Sequence, residues 1–172
     1  MNIKDIAKSE ILLFNKITAY HGTMSEIENN MRIDNIFEKY ESIFKQYIVL
    51  ADKYNNIEAL KRAIFIQWYS YSEPSSFTGI FLLSEDDERL ALQLLERAII
   101  KKEMDAELIS MLYHYKEVND IVFFKFEDLF VLNEFLQNIL PENPLEKLRN
   151  NSFSARGQMG EYWKSIINEI AV

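Results

Sequence analysis

The chain reads as an all-α protein, six to seven helices in a single bundle or irregular helical array, and three observations predict it. Glycine and proline are scarce, 4 and 3 residues in 172, so turns are few and the elements between them are long. Apolar residues recur at helical spacing, most clearly Ile33, Phe37, Tyr40, Phe44, Tyr47, Ala51 and Tyr54, with Ile36, Ile43 and Leu50 widening the same face. Helix-start signatures precede several stripes: Thr23-Met-Ser-Glu26, Ser25-Glu-Ile-Glu28 and Ser84-Glu-Asp-Asp87 each place a hydroxyl three residues before an acid.

The elements follow in order. A first helix near residues 2–20 carries Ile3, Ile6, Ile11, Leu13, Phe14 and Ile17, and His21-Gly22 stops it, glycine suiting the left-handed position after a helix end. The second is one long helix over 25–54, with Glu38, Lys39, Glu41, Lys45, Asp52 and Lys53 left for solvent. Aromatic side chains recur along its seam where a coiled coil would place Leu, Ile or Val, which favours packing within a bundle. A third helix over 57–71 carries Ile57, Leu60, Ile64, Phe65, Trp68 and Tyr71, and Pro74 ends it.

The next helix starts after Ser84, with Glu85, Asp86, Asp87 and Glu88 at the positive end of its dipole, and continues through Leu90, Leu94, Leu95, Ala98 and Ile99. Another begins near Met104 and carries Leu108, Met111, Leu112 and Tyr115. Residues 121–140 are rich in apolar side chains. The spacing of Leu129, Leu132, Leu136 and Ile139 favours a central helix, while residues 121–126, opening Ile-Val-Phe-Phe, also fit a short strand. Asn143-Pro144-Leu-Glu146 offers an N-cap, a proline at the first helical position and an acid at the third. Residues 149–160 are the expected flexible segment, and a last helix spans 161–170. No repeat, low-complexity tract or linker interrupts the chain, so residues 1–172 form one helical domain.

Composition narrows the function classes. A chain of this length buries roughly two-thirds of its unfolded surface, and 12 Phe, 9 Tyr and 2 Trp supply bulky core material. There is no cysteine, which removes disulfides, thiolate metal sites and cysteine nucleophiles and fits a reducing compartment. Charges recur every few residues from the N-terminus, unlike a signal peptide, and no apolar run is long enough to span a membrane. A cytoplasmic protein is the expectation. Net charge is −8, and residues 57–120 carry −5 of it, from 7 basic and 12 acidic groups. Such a field repels phosphate backbones and favours a basic partner, so neither nucleic acid nor membrane is an expected partner.

Catalytic signatures are few. His21 and His114 are the only histidines, and no Glu-x-x-His motif of the di-iron bundles is present. His114 and Glu117 share a helix face but supply too few ligands for a metal, and no cofactor motif appears. Ser70, Ser72, Ser75 and Ser76 lie in no Gly-x-Ser-x-Gly elbow. Gly157-Gln-Met-Gly160 is a lone Gly-x-x-Gly, best read as a loop beside the surface residues Arg149, Arg156 and Lys164.

The segment 68–79, Trp-Tyr-Ser-Tyr-Ser-Glu-Pro-Ser-Ser-Phe-Thr-Gly, stands out as a loop crowded with aromatic and hydroxyl side chains. Trp68 belongs to the buried stripe of its helix. Tyr69, Tyr71, Glu73 and Phe77, together with Glu85 and Asp86, are the candidate partner-binding residues, because aromatic anchors and charge complementarity carry protein interfaces. The expected function is a non-catalytic, acidic helical protein, monomer or homodimer, that binds another protein. An inhibitor or immunity-type protein masking a basic partner has this character. The alternative is a small-ligand-binding protein or enzyme with an inter-helix pocket near Glu73, lined by Tyr69, Tyr71 and His114.

Overall fold

The computed structural model describes residues 2–81, 83–141, 144–149 and 151–170, and every regular element among them is a helix. The order is α1 (Ile3–Thr18), α2 (Met24–Ile33), α3 (Ile36–Tyr54), α4 (Ile57–Ser72), α5 (Ser75–Thr78), α6 (Glu85–Ile100), α7 (Ala106–Val118), α8 (Phe130–Asn138), α9 (Pro144–Arg149) and α10 (Gly157–Ile170). The all-α expectation holds. The expected six to seven helices become ten among the described residues, for reasons visible in the backbone.

The long second helix is two. Asn35 adopts φ 53°, a left-handed conformation that asparagine tolerates better than most residues, and the chain turns between α2 and α3. The turn is anchored: the Asp34 carboxylate accepts from the Tyr20 hydroxyl and pairs with Lys16 at 2.7 Å, while Lys39 Nζ donates to the Asp34 carbonyl at 2.7 Å. Of the capping boxes, Thr23 with Glu26 is realised, whereas Ser84 occupies the N-cap of α6 without a side-chain hydrogen bond. Asn56 and Asp105 cap α4 and α7 instead. The Asn143 cap of α9 lies outside the described residues.

Residues 121–124 form turns, neither strand nor helix, and only Phe130–Asn138 of the apolar run is helical. The central helix is α4. Its residues from Ala59 to Trp68 are all buried, Lys61, Arg62 and Gln67 included, and it packs against α3, α5, α6, α7 and α10. A helix buried all round is the core of its domain, and burying cations there requires paired anions. Arg156 bonds the carboxylates of both Glu58 and Glu107, Lys61 bonds Asp105 at 2.6 Å and also Glu107, and Arg62 bonds Glu58 at 2.8 Å.

The segment expected to be flexible is packed instead. Phe153 and Arg156 through Gly160 are buried, and α10 begins at Gly157, earlier than periodicity suggested. Gly157 has φ 65°, and a Cβ there would run into the Glu10 carboxylate of α1, so glycine is required on both counts. Glu10 replaces a local cap: its Oε1 accepts the Gln158 N–H at 2.7 Å and its Oε2 the Tyr47 hydroxyl at 2.7 Å.

Candidate partner-binding cleft

Helix α4 continues through the aromatic segment to Ser72, so most of the expected loop is helical. Glu73 and Pro74 are extended, Ser75–Thr78 forms the single turn α5, and Gly79 at φ 71° reverses the chain. A Cβ on Gly79 would strike Ile17 and crowd Tyr40, so this turn sits hard against α1 and α3. Ser75 Oγ donates to Glu28 at 2.6 Å and ties α5 to α2. Ile80 then plunges into the core, while Phe77 is 54% exposed.

This reversal opens a cleft of about 520 Å³ between the end of α4, α5, the start of α6 and the segment before α8. Its apolar lining comes from Pro74, Ile80, Phe81 and Leu83, and its polar lining from Ser70, Tyr71, Glu73, Ser75, Glu85, Glu88 and Lys125. Glu73 and Glu85 are exposed, and neither carboxylate has a hydrogen-bond or ion-pair partner among the described residues. Glu88 differs: only 3% exposed, it accepts from Lys125 Nζ at 2.7 Å. Lys125 also donates to the Tyr71 hydroxyl at 3.1 Å and lies over the rings of Tyr71 and Phe126, 5.8 and 5.5 Å from their centres.

Burial works against the Lys125 ammonium. The bonds to Glu88 and Tyr71 outweigh it and hold the group above the ordinary lysine value. For Tyr71, desolvation raises the phenol, and the Lys125 bond opposes it without reversing it. Three carboxylates and one ammonium leave the cleft net negative, as the −5 middle third predicts. The arrangement can hold a cationic group against an apolar wall. Among the described residues that line it there is no histidine.

Of the six candidate residues, Tyr71, Glu73 and Glu85 meet in this cleft. Phe77 and Asp86 are exposed but line none of it. Tyr69 is half-buried in an aromatic cluster, stacked on Phe65 at 4.9 Å between ring centres and set edge-on to Tyr162 at 5.5 Å. Trp68 is buried there, as its stripe predicted, and its Nε1–H reaches the carbonyls of Tyr115 and Asn119, both at 3.0 Å. His114 joins the same cluster, its Nε2 standing 2.6 Å from the Tyr162 hydroxyl, and burial lowers its imidazole below the ordinary value. His114 and Tyr69 therefore lie outside the lining of the Glu73 cleft.

Glu88 and Lys125 are the site residues that the sequence reading missed. Glu88 was accounted for by the helix dipole. Lys125 carried a readable signal, as the one charge in the apolar opening of residues 121–126.

The chain matches no protein-family model, no curated protein and no solved structure.

Proposed function

We propose that this protein binds a basic protein partner and receives one of its cationic side chains in the Glu73–Glu85 cleft. The observation that carries the reading is the pair of unpartnered carboxylates over an apolar wall, in a cleft already net negative. Exposed Phe77 beside it, and Phe81 in its lining, supply apolar area for the surrounding contact. An acidic surface steers a basic partner into encounter, and the aromatic groups hold it afterwards. The role is non-catalytic, that of an inhibitor or immunity-type protein in a reducing compartment such as the cytoplasm.

The test is affinity capture with wild type beside Tyr71→Ala/Glu73→Lys/Glu85→Lys, with circular dichroism confirming that both are folded. Wild type should retain a basic protein that is released by salt near 0.5 M, where screening is strong, and the variant should retain none. Identical captures by both forms would remove the cleft from the interface.

A second reading, a small organic amine in the same cleft, is favoured by its volume of about 520 Å³, within the range of small-molecule sites. A thermal-shift screen of primary amines and guanidines separates the two. A ligand that raises Tm at micromolar concentration would favour the small molecule.

A further inference from the structure

Lys125 already occupies a complete cation site. Its ammonium has a buried carboxylate at 2.7 Å, a phenol hydroxyl at 3.1 Å and two aromatic faces within 6 Å. Such a site would take any cation of suitable reach, and it forms one wall of the cleft that the proposed partner enters. The resident cation reaches solvent. Lys125 lies in the irregular stretch between α7 and α8, with its side chain 30% exposed.

The backbone around it is firmly seated. Val122, Phe123 and Phe126 are buried, Arg89 bonds Asp128 at 2.7 Å, and Asn119 donates to the Tyr71 carbonyl at 2.8 Å. The lysine side chain can therefore leave without its segment. Its departure alone would leave the buried Glu88 carboxylate with only the neutral Tyr71 hydroxyl beside it, which is costly, so departure is favoured when another cation arrives.

We propose that Lys125 holds this site in the free protein and that an arginine of the partner takes its place on Glu88. The proposal rests on the reading of the cleft as a receptor for a basic partner. Arginine is the fitting replacement for three reasons. Its fork can bond both carboxylate oxygens, its plane can stack on Tyr71 or Phe126, and it loses less hydration than an ammonium does. The displaced Lys125 swings toward Glu73 and Glu85, the unpartnered carboxylates of the same cleft. No charge is left bare, and the cleft moves from a net −2 toward −1. Binding is thus an exchange of one cation for another, and Lys125 acts as a built-in competitor that sets a threshold on affinity.

The test uses a fluorescein-labelled Gly-Arg-Gly-Arg peptide, its lysine counterpart and fluorescence anisotropy at low salt. Wild type should bind the arginine peptide in preference to the lysine one. Lys125→Met, which keeps the apolar stem and removes the competitor, should bind it about tenfold more tightly. Lys125→Met/Glu88→Gln should bind more weakly than wild type.

Equal or weaker binding by folded Lys125→Met would overturn the exchange while leaving the cleft's role intact. Failure of the peptide to bind wild type as well would count against that role too. If Lys125→Met is unfolded alone, saturating arginine peptide should restore its helical circular dichroism. Failure to do so would equally overturn the exchange.

Discussion

Glu10 caps a helix to which it does not belong: its carboxylate accepts the Gln158 N–H at 2.7 Å, across 148 residues of sequence. The same carboxylate takes the Tyr47 hydroxyl from α3. The charged and titratable groups facing it are Tyr40 and Tyr47 on α3 and Arg62 on α4, while α10 offers only a backbone donor. Complete burial drives its pKa up from 4.5 to about 7, and the bonds from Tyr47 and Gln158 and the Arg62 charge recover only part of that rise.

The sign of the pH dependence follows. The folded protein holds this proton more tightly than the unfolded chain does. Glu10 therefore contributes stability that is fully present below about pH 4.5 and lost as pH rises through about 7. Between pH 5 and pH 8, wild type should lose on the order of 3 kcal/mol relative to Glu10→Gln, which carries no titrating proton. Urea unfolding of both forms across that range checks it, and parallel pH profiles would refute the assignment.

Gly157→Ala should destabilise by at least about 2 kcal/mol, because φ is positive there and the new methyl meets the Glu10 carboxylate. Pairing it with Glu10→Ala should recover part of the loss, since only the backbone strain would remain. A double-mutant cycle in urea measures the recovery, and strict additivity would mean that the two groups do not collide.

Arg156→Lys should cost nearly as much as Arg156→Ala, about 3 kcal/mol in each case. One guanidinium bridges Glu58 and Glu107 with four bonds, a geometry that an ammonium does not reproduce. Thermal denaturation of the two variants gives the comparison. Substantial rescue by lysine would show that charge, not the fork, holds α4, α7 and α10 together.

Charge reversal at the cleft rim should leave the fold untouched. Glu73→Lys/Glu85→Lys alters two exposed side chains without a hydrogen-bond or ion-pair partner among the described residues, so stability should fall by no more than about 1–2 kcal/mol, the helix-dipole cost of placing a cation in the first turn of α6. A larger loss in urea unfolding would give those carboxylates a structural role.

Periodicity carried the sequence reading as far as apolar burial goes. Tyr40, Phe44 and Tyr47 are fully buried in α3 as their spacing requires, yet Ile33 and Tyr54, at the ends of the same stripe, are 69% and 71% exposed. The stripe stays in phase across Asp34 and Asn35, so a turn there left no trace in the pattern. The central place of α4 was hidden for another reason. Lys61 and Arg62 resemble solvent-facing residues until their anions are known, and most of those anions come from distant elements. Half of the cleft was legible because Tyr71, Glu73 and Glu85 lie within one aromatic and acidic stretch. Its other half, Glu88 with Lys125, depends on a fold-back of 37 residues that no local spacing records.

The distant cap also bears on the order of events during synthesis. A ribosome delivers α1 long before Gly157 and Gln158, so the nascent chain carries Glu10 with its helix-end partner still unmade. While exposed to water Glu10 is ionised, and burying it against α3 early would cost desolvation with half of its donors missing. The docking of α1 should therefore tighten only once α10 has been made, which pulsed hydrogen exchange on stalled nascent chains would test. A contact spanning so much sequence closes slowly, because the whole intervening loop must be ordered with it.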